Sequence, residues 1–227
     1  MENNYWIVDE WLIFKPKFNE ELTNYYSIIN KYNKIMFSNY NDLLIAIETN
    51  NKYDNKYNNN FIKNKFNQEI DLSNNIHLTH LTFEWEFNQE IDLSNNTNLT
   101  HLTFGMCFNQ KINILFNVIS LNMNLCNNQY IIDNLHNNIE ELTIYQTNLN
   151  LDNLPNSIKK IYIKSYNKKL NNLPNSIEYL ELTNYKFKIK KCHKILKQLN
   201  VMKNMNMLMI LKIIKLFIIK NLFIKIK

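Results

Sequence analysis

The chain has no arginine, one glycine (Gly105), one alanine (Ala46) and three prolines (Pro16, Pro155, Pro174) among its 227 residues. Each scarcity removes a class of chemistry. A phosphate-binding loop or a dinucleotide fingerprint needs several glycines where backbone approaches phosphate, and a single glycine cannot supply them. Without arginine, the planar fork suited to bidentate capture of phosphate or carboxylate is missing. Three cysteines (Cys107, Cys126, Cys192) behind a polar, acidic start, MENNYWIVDE, read as reduced intracellular thiols without a secretory signal. The most apolar stretch, Met205 to Ile226, is cut by Lys212, Lys215, Lys220 and Lys225, so no transmembrane helix is expected. No GxSxG, HExxH or Cys/His spacing of a nucleophilic site is present, so neither catalysis nor a cofactor is expected.

Asparagine is abundant instead, at about 45 residues, with isoleucine, lysine, phenylalanine and tyrosine. The depleted residues are those with GC-rich codons, which implies an AT-rich coding sequence. The net charge of +6 hides an asymmetry: residues 159–227 carry +15 and residues 1–158 carry −9.

Self-similarity organises the middle of the chain. Phe66–Glu86 reads FNQEIDLSNNIHLTHLTFEWE and Phe87–Cys107 reads FNQEIDLSNNTNLTHLTFGMC, a period of 21. Later units, DNLHNNIEELTI, DNLPNSIKKIYI and NNLPNSIEYLEL, recur at 19. Every unit ends in apolar-x-x-apolar-x-apolar: Leu78/Leu81/Phe83, Leu99/Leu102/Phe104, Val118/Leu121/Met123, Ile139/Leu142/Ile144, Ile158/Ile161/Ile163 and Ile177/Leu180/Leu182. A short alternating segment every 19–21 residues predicts one strand per coil, stacked in parallel on its neighbours. One coil cannot bury its own apolar face, so stacking supplies the core. Phe66, Phe87 and Phe108 are expected to form an aromatic column. The asparagines after them (Asn67, Asn88, Asn109, with Asn128 as a weaker fourth) are expected to form a buried ladder of amides bonded to backbone.

These units resemble FNIP repeats, a relative of leucine-rich repeats found in social amoebae and in giant viruses that infect amoebae. The resemblance spans residues 61–187 and rests on the tandem FNQEIDLSNN units and the NLPNSI-x-x-L-x-L units. It implies an LRR-like solenoid and a protein-binding role, in the cytoplasm of a host if the source is viral. Many relatives carry an F-box before the repeats and recruit targets for ubiquitination, which would make this chain an adaptor.

The expected architecture is one parallel sheet of about six short strands with irregular turns. Residues 1–60 form a helical cap, in which Leu22, Tyr25, Ile29, Tyr32 and Met36 have helical spacing. The cap is alternatively a degenerate F-box, although no Leu-Pro start is present. Asn50–Asn60 reads as a polar linker. Residues 188–227 form a basic Lys/Ile tail, helical or disordered, and its lysines define no clean polar face for a membrane-bound helix.

Between the buried strand positions lie outward rows. One is His80, His101, Ser120, Glu141, Lys160, Tyr179, the next is Thr82, Thr103, Asn122, Thr143, Tyr162, Glu181, and a third, flanking, is Glu84, Gly105, Asn124, Tyr145, Lys164, Thr183. The outward face of a solenoid sheet is its usual binding surface, and tyrosines beside charge suit an interface. His80, His101, Glu141, Lys160, Tyr162, Tyr179 and Glu181 are therefore the expected binding face for a protein partner from the host. The two histidines read as copies of one repeat position and not as zinc ligands, because the next coil offers Ser120 where a further ligand would stand. The alternative function is binding of nucleic acid or an anionic membrane surface through the basic C-terminal third.

Overall fold

A computed structural model of the chain describes residues 3–41, 43–48, 62–145, 148–187 and 223–226. Ten strands form one sheet in chain order: β1 (Tyr5–Val8), β2 (Trp11–Phe14), β3 (Lys34–Phe37), β4 (His80–Phe83), β5 (His101–Phe104), β6 (Ser120–Asn124), β7 (Glu141–Tyr145), β8 (Lys160–Lys164), β9 (Tyr179–Thr183) and β10 (Phe223–Ile226). β1 and β2 pair antiparallel and every later pairing is parallel.

The six strands expected from the repeats are β4 to β9, adjacent and in the expected register. Leu81, Leu102, Leu121, Leu142, Ile161 and Leu180 lie across from one another and are buried. Each coil enters its strand through the same tight turn, in which the first apolar residue donates its N–H to the carbonyl three residues back. Leu78, Leu99, Val118, Ile139, Ile158 and Ile177 bond in this way to Asn75, Asn96, Leu115, His136, Pro155 and Pro174. Proline fits the 155 and 174 positions because only its carbonyl is used.

The aromatic column is present and is doubled. Phe66, Phe87 and Phe108 stack at 5.9 and 6.0 Å, and Phe18 extends the column at 5.8 Å. A second column, Phe14, Phe37, Phe83 and Phe104, stacks at 4.8, 5.4 and 6.3 Å. The two columns interleave at 3.7–4.5 Å. They end where Met123 and Cys126 take over, the latter donating its thiol to Phe108 O.

Three expectations are corrected. First, the N-terminal segment is not a helical cap. It supplies β1 to β3, and its helices are short: a 3-10 turn at Leu22–Asn24, α1 (Tyr26–Ile29) and α2 (Leu43–Glu48). Leu12/Phe14 and Ile35/Phe37 repeat the buried strand pair, and FNEEL at 18–22 echoes FNQEI at 66–70. Second, the tail is neither all helix nor all disorder, because Phe223–Ile226 pairs in parallel with β9 as β10, Ile224 opposite Leu180 and Ile226 opposite Leu182. The alternating FIKI suits a strand, but its distance from the last repeat hides the register. The rest of the tail and Asn50–Asn60 lie outside the described residues.

Third, the asparagine ladder exists but stands at the surface. Asn19, Asn67 and Asn88 each accept, through Oδ1, the backbone N–H of the asparagine one coil on, at 3.0, 2.8 and 2.7 Å. Gln68, Gln89 and Gln110 donate back to the carbonyls of Asn19, Asn67 and Asn88, forming a second rail. A bond from side chain to backbone between coils needs no burial. Asn128 is buried, but it caps α3 (Gln129–Asp133) by accepting from Ile131 N. Its Nδ2 also donates to Gln110 O at 2.8 Å. In the two tandem repeats the buried amides are Asn75 and Asn96, the second asparagine of each SNN turn. Asn75 donates to Ile29 O and Tyr32 O, and Asn96 donates to Leu72 O and Asn75 O.

Candidate functional site

The outward face of the sheet changes character along its length, and cross-strand register shows how. One row runs Ile13, Met36, Thr82, Thr103, Asn122, Thr143, Tyr162, Glu181. Its first members are covered: Ile13, Met36, Tyr40 and Ala46 form an outer apolar cluster, with Trp6, Trp11 and Leu43 against it. Thr82, Thr103 and Asn122 are also buried, at 2%, 2% and 4% exposure, against the expectation of an open polar face. Thr143, Tyr162 and Glu181 are only half-buried. This row is closed over β2–β6 and open over β7–β9, while in the row beside it Trp11, Lys34, His80, His101 and Ser120 are half-buried.

The seven expected site residues fall into two groups. His80 and His101 belong to the first. Their rings stack at 4.1 Å and 7° apart, and the indole of Trp11 meets His80 edge-on at 5.7 Å. Hydrogen bonding sets their tautomer. Thr79 Oγ1 gives its proton to Asn33 O at 3.0 Å, so the 2.9 Å bond to His80 Nδ1 carries the imidazole proton. Thr100 repeats the arrangement, donating to Thr79 O at 3.2 Å and accepting from His101 Nδ1 at 2.9 Å. Both Nε2 atoms therefore keep their lone pairs. Stacked rings point those lone pairs in parallel, so the two nitrogens do not converge on one metal at about 2.0–2.1 Å. Burial, then the neighbouring His101 and Lys34, holds His80 down at about 4. Burial lowers His101 as well. The pair is neutral at ordinary pH.

The second group is contiguous. Lys160 reaches Glu141 at 3.5 Å. Tyr162 and Tyr179 meet at 5.1 Å with a 43° tilt. Tyr179 donates its hydroxyl to Glu181 Oε2 at 2.8 Å. Burial, then Glu141 and Glu181, raises the Tyr162 hydroxyl, and burial, then the bond to Glu181, raises Tyr179, so both are neutral phenols. Beside them Lys164 lies 5.1 Å over the ring of Tyr145. The surface thus offers aromatic faces and charges already compensated within it, over three adjacent strands.

Sequence reasoning missed Trp11 and Lys34, which continue the histidine row; Tyr145 and Lys164 stand next to one another in the flanking row, as expected, but were not among the expected site residues. WLIF and KIMF carried the signal, since both match the x-apolar-x-apolar pattern of HLTF. Among the described residues no group of three or more His, Cys, Asp or Glu could hold a metal ion, and no described helix is long and apolar enough to cross a membrane.

Residues 145–185, which form the open end of this face, match the family model described as FNIP Repeat. A solved structure, "The crystal structure of CroV588 a novel circular LRR protein structure", is similar over 83% of this chain and 39% of its own, at 20% identity and a TM-score of 0.34. The chain therefore spans well under half the length of that protein. No curated protein matches the chain.

Proposed function

We propose that this chain, an FNIP-repeat protein with a leucine-rich-repeat-like solenoid, is a non-catalytic interaction protein whose partner docks on the open outward face over β7–β9. The observation that carries the reading is the Tyr162–Tyr179 pair, two neutral aromatics at 5.1 Å on the part of the sheet that nothing else in the described chain closes. Tyrosine gives contact area at low entropy cost, and compensated charges around it favour a neutral, shape-complementary surface. Lys160, Glu141 and Glu181 set the rim. The finer reading is an adaptor that presents a bound protein for ubiquitination in a host cytoplasm. It draws support from the resemblance of the repeats alone.

Quantitative capture from lysate tests the reading, comparing the unaltered chain with Tyr162→Ala/Tyr179→Ala and with Asn58→Ala as a matched control. Loss of the captured protein in the tyrosine variant alone, with little sensitivity to salt, is expected. Equal capture by all three would remove the face from the account. Steep weakening with salt would instead indicate counterion release from a nucleic acid.

A further inference from the structure

Glu84 is the one acidic residue buried among the described side chains, at 8% exposure. It stands on the closed part of the outward face, just past the end of β4. Its Oε2 accepts from Asn39 Nδ2 at 2.6 Å and from Asn124 Nδ2 at 3.2 Å. Asn124 lies two coils away, and the coil between them carries Gly105, the chain's only glycine. A Cβ at Gly105 would stand 1.7 Å from the Glu84 carbonyl oxygen, so only glycine allows this close approach. Asn39 is itself held on the other side: its Oδ1 accepts Asn64 N–H at 2.7 Å, and Asn64 Nδ2 donates to Ser38 O at 3.0 Å. The carboxyl therefore ties Asn39 directly, and Asn64 through Asn39, to the sheet.

The surroundings suit an acid and not a carboxylate. Asn122 Oδ1 and Asn124 Oδ1 are buried with no donor among the described residues, and a buried acceptor left unmatched is costly. Among the described residues no cation stands at the carboxyl. Lys63 lies 4.7 Å over the Trp85 ring and Lys164 lies over Tyr145. Glu86, Cys107 and Tyr145, titratable groups near the same ends of the strands, can add no positive charge.

We propose that Glu84 is a protonation lock on the stretches 38–41 and 62–65: as a neutral acid it accepts the two asparagine amides at one oxygen and donates its proton to an asparagine side-chain oxygen at the other. Ionisation removes that donor and leaves an uncompensated buried charge, which loosens those two stretches from the sheet. Burial raises the carboxyl to about 7, with the Asn124 bond opposing, which sets the change near neutrality.

Hydrogen exchange of the peptides covering 38–46 and 62–66 tests the lock, corrected for intrinsic rates, at about pH 5 and about pH 8 on the unaltered chain and Glu84→Gln. The amide introduced by that substitution cannot ionise and offers the same acceptor and donor. The unaltered chain is expected to lose protection there by about tenfold or more at the higher pH, while Glu84→Gln holds constant. A pH-insensitive unaltered chain, or the same loss in Glu84→Gln, would overturn the lock. If Glu84→Gln fails to fold, infrared difference spectra of the unaltered chain across the titration decide instead. A buried carboxylic acid band that disappears as the pH rises supports the lock, and its absence at low pH overturns it. Stabilisation of the unaltered chain by millimolar calcium at about pH 8 would overturn it too, because the oxygens would then hold a cation and not a proton.

Discussion

The first half of the solenoid and the last half share one register but solve different problems. Over β2–β5, coils close on two interleaved phenylalanine columns; on the outward side Ile13 and Met36 are buried with Trp6, Trp11 and Leu43 against them, and Thr82 and Thr103 are buried as well. Over β7–β9, the columns give way to leucine and isoleucine, and the outward face opens to present Tyr162 and Tyr179. Strand register alone is therefore compatible with either a covered face or a free one. The residue between the buried positions does not decide alone: Ile13 and Met36 are apolar and covered, but Thr82 and Thr103 are buried where Thr143 is half-buried.

The largest contrast comes from truncating the aromatic core. Phe87→Ala should cost about 3–5 kcal/mol, because Phe87 is fully buried and stacks on Phe66, Phe83 and Phe108. Ile161→Val in the open half should cost about 0.5–1.5 kcal/mol. Urea titration measures both, and equal losses would erase the distinction between an aromatic and an aliphatic core.

The amide rails sharpen the comparison at intermediate size. Asn96→Ala removes two buried side-chain hydrogen bonds, to the carbonyls of Leu72 and Asn75, which keep only the backbone N–H groups of Asn75 and Leu78, at about 1–3 kcal/mol. Asn88→Ala removes a bond to Asn109 N that water can replace, at about 0.5–1.5 kcal/mol or less. A larger loss at Asn88 than at Asn96 would reverse the assignment of the buried rail.

The histidine pair makes the closed half sensitive to acid. Both imidazoles titrate below their ordinary value of about 6.5 in the fold, so the unfolded chain binds more protons as the pH falls. Their contribution is full above about 6.5 and is lost as the pH falls toward about 4. Glu84 acts in the opposite sense: its raised carboxyl favours the fold at low pH, and that preference fades as the pH rises through about 7. The measurement therefore belongs in the Glu84→Gln background, where His80→Gln/His101→Gln should flatten the acid limb of a melting curve. An unchanged limb would mean that the pair does not control it.

The smallest effect concerns how strands end in the open half. Ser165 and Asn184 follow β8 and β9 with left-handed backbone, φ 54° and 56°. Asparagine tolerates that region better than serine. Ser165→Asn should raise stability by about 0.5 kcal/mol, read by chemical denaturation, and a loss would place the cost elsewhere.

The sequence carried the repeated strands plainly, because Leu81 through Leu180 and Phe83 through Leu182 recur without a gap. It carried the N-terminal strands poorly. From Leu12 to Ile35 to Leu81 the sequence intervals are irregular, since residues 38–65 lengthen the second one, and Leu22, Tyr25 and Ile29 happen also to match a helix. Burial of Thr82 and Thr103 was illegible, because Thr143 holds the same repeat position and is only half-buried. Glu84 looked like one member of an outward row. Its meaning depends on Asn39 and Asn124, which no local pattern joins. The open patch was legible, since Glu141, Lys160, Tyr162, Tyr179 and Glu181 sit at fixed repeat positions.

The claim that the open half is the docking surface can be tested with a photo-crosslinking amino acid placed at Tyr162 and, in a separate chain, at Thr82. The account expects a single protein adduct from the 162 position that persists at high salt, and none from the buried 82 position. Adducts of equal yield from both positions, or adducts with nucleic acid alone, would contradict it.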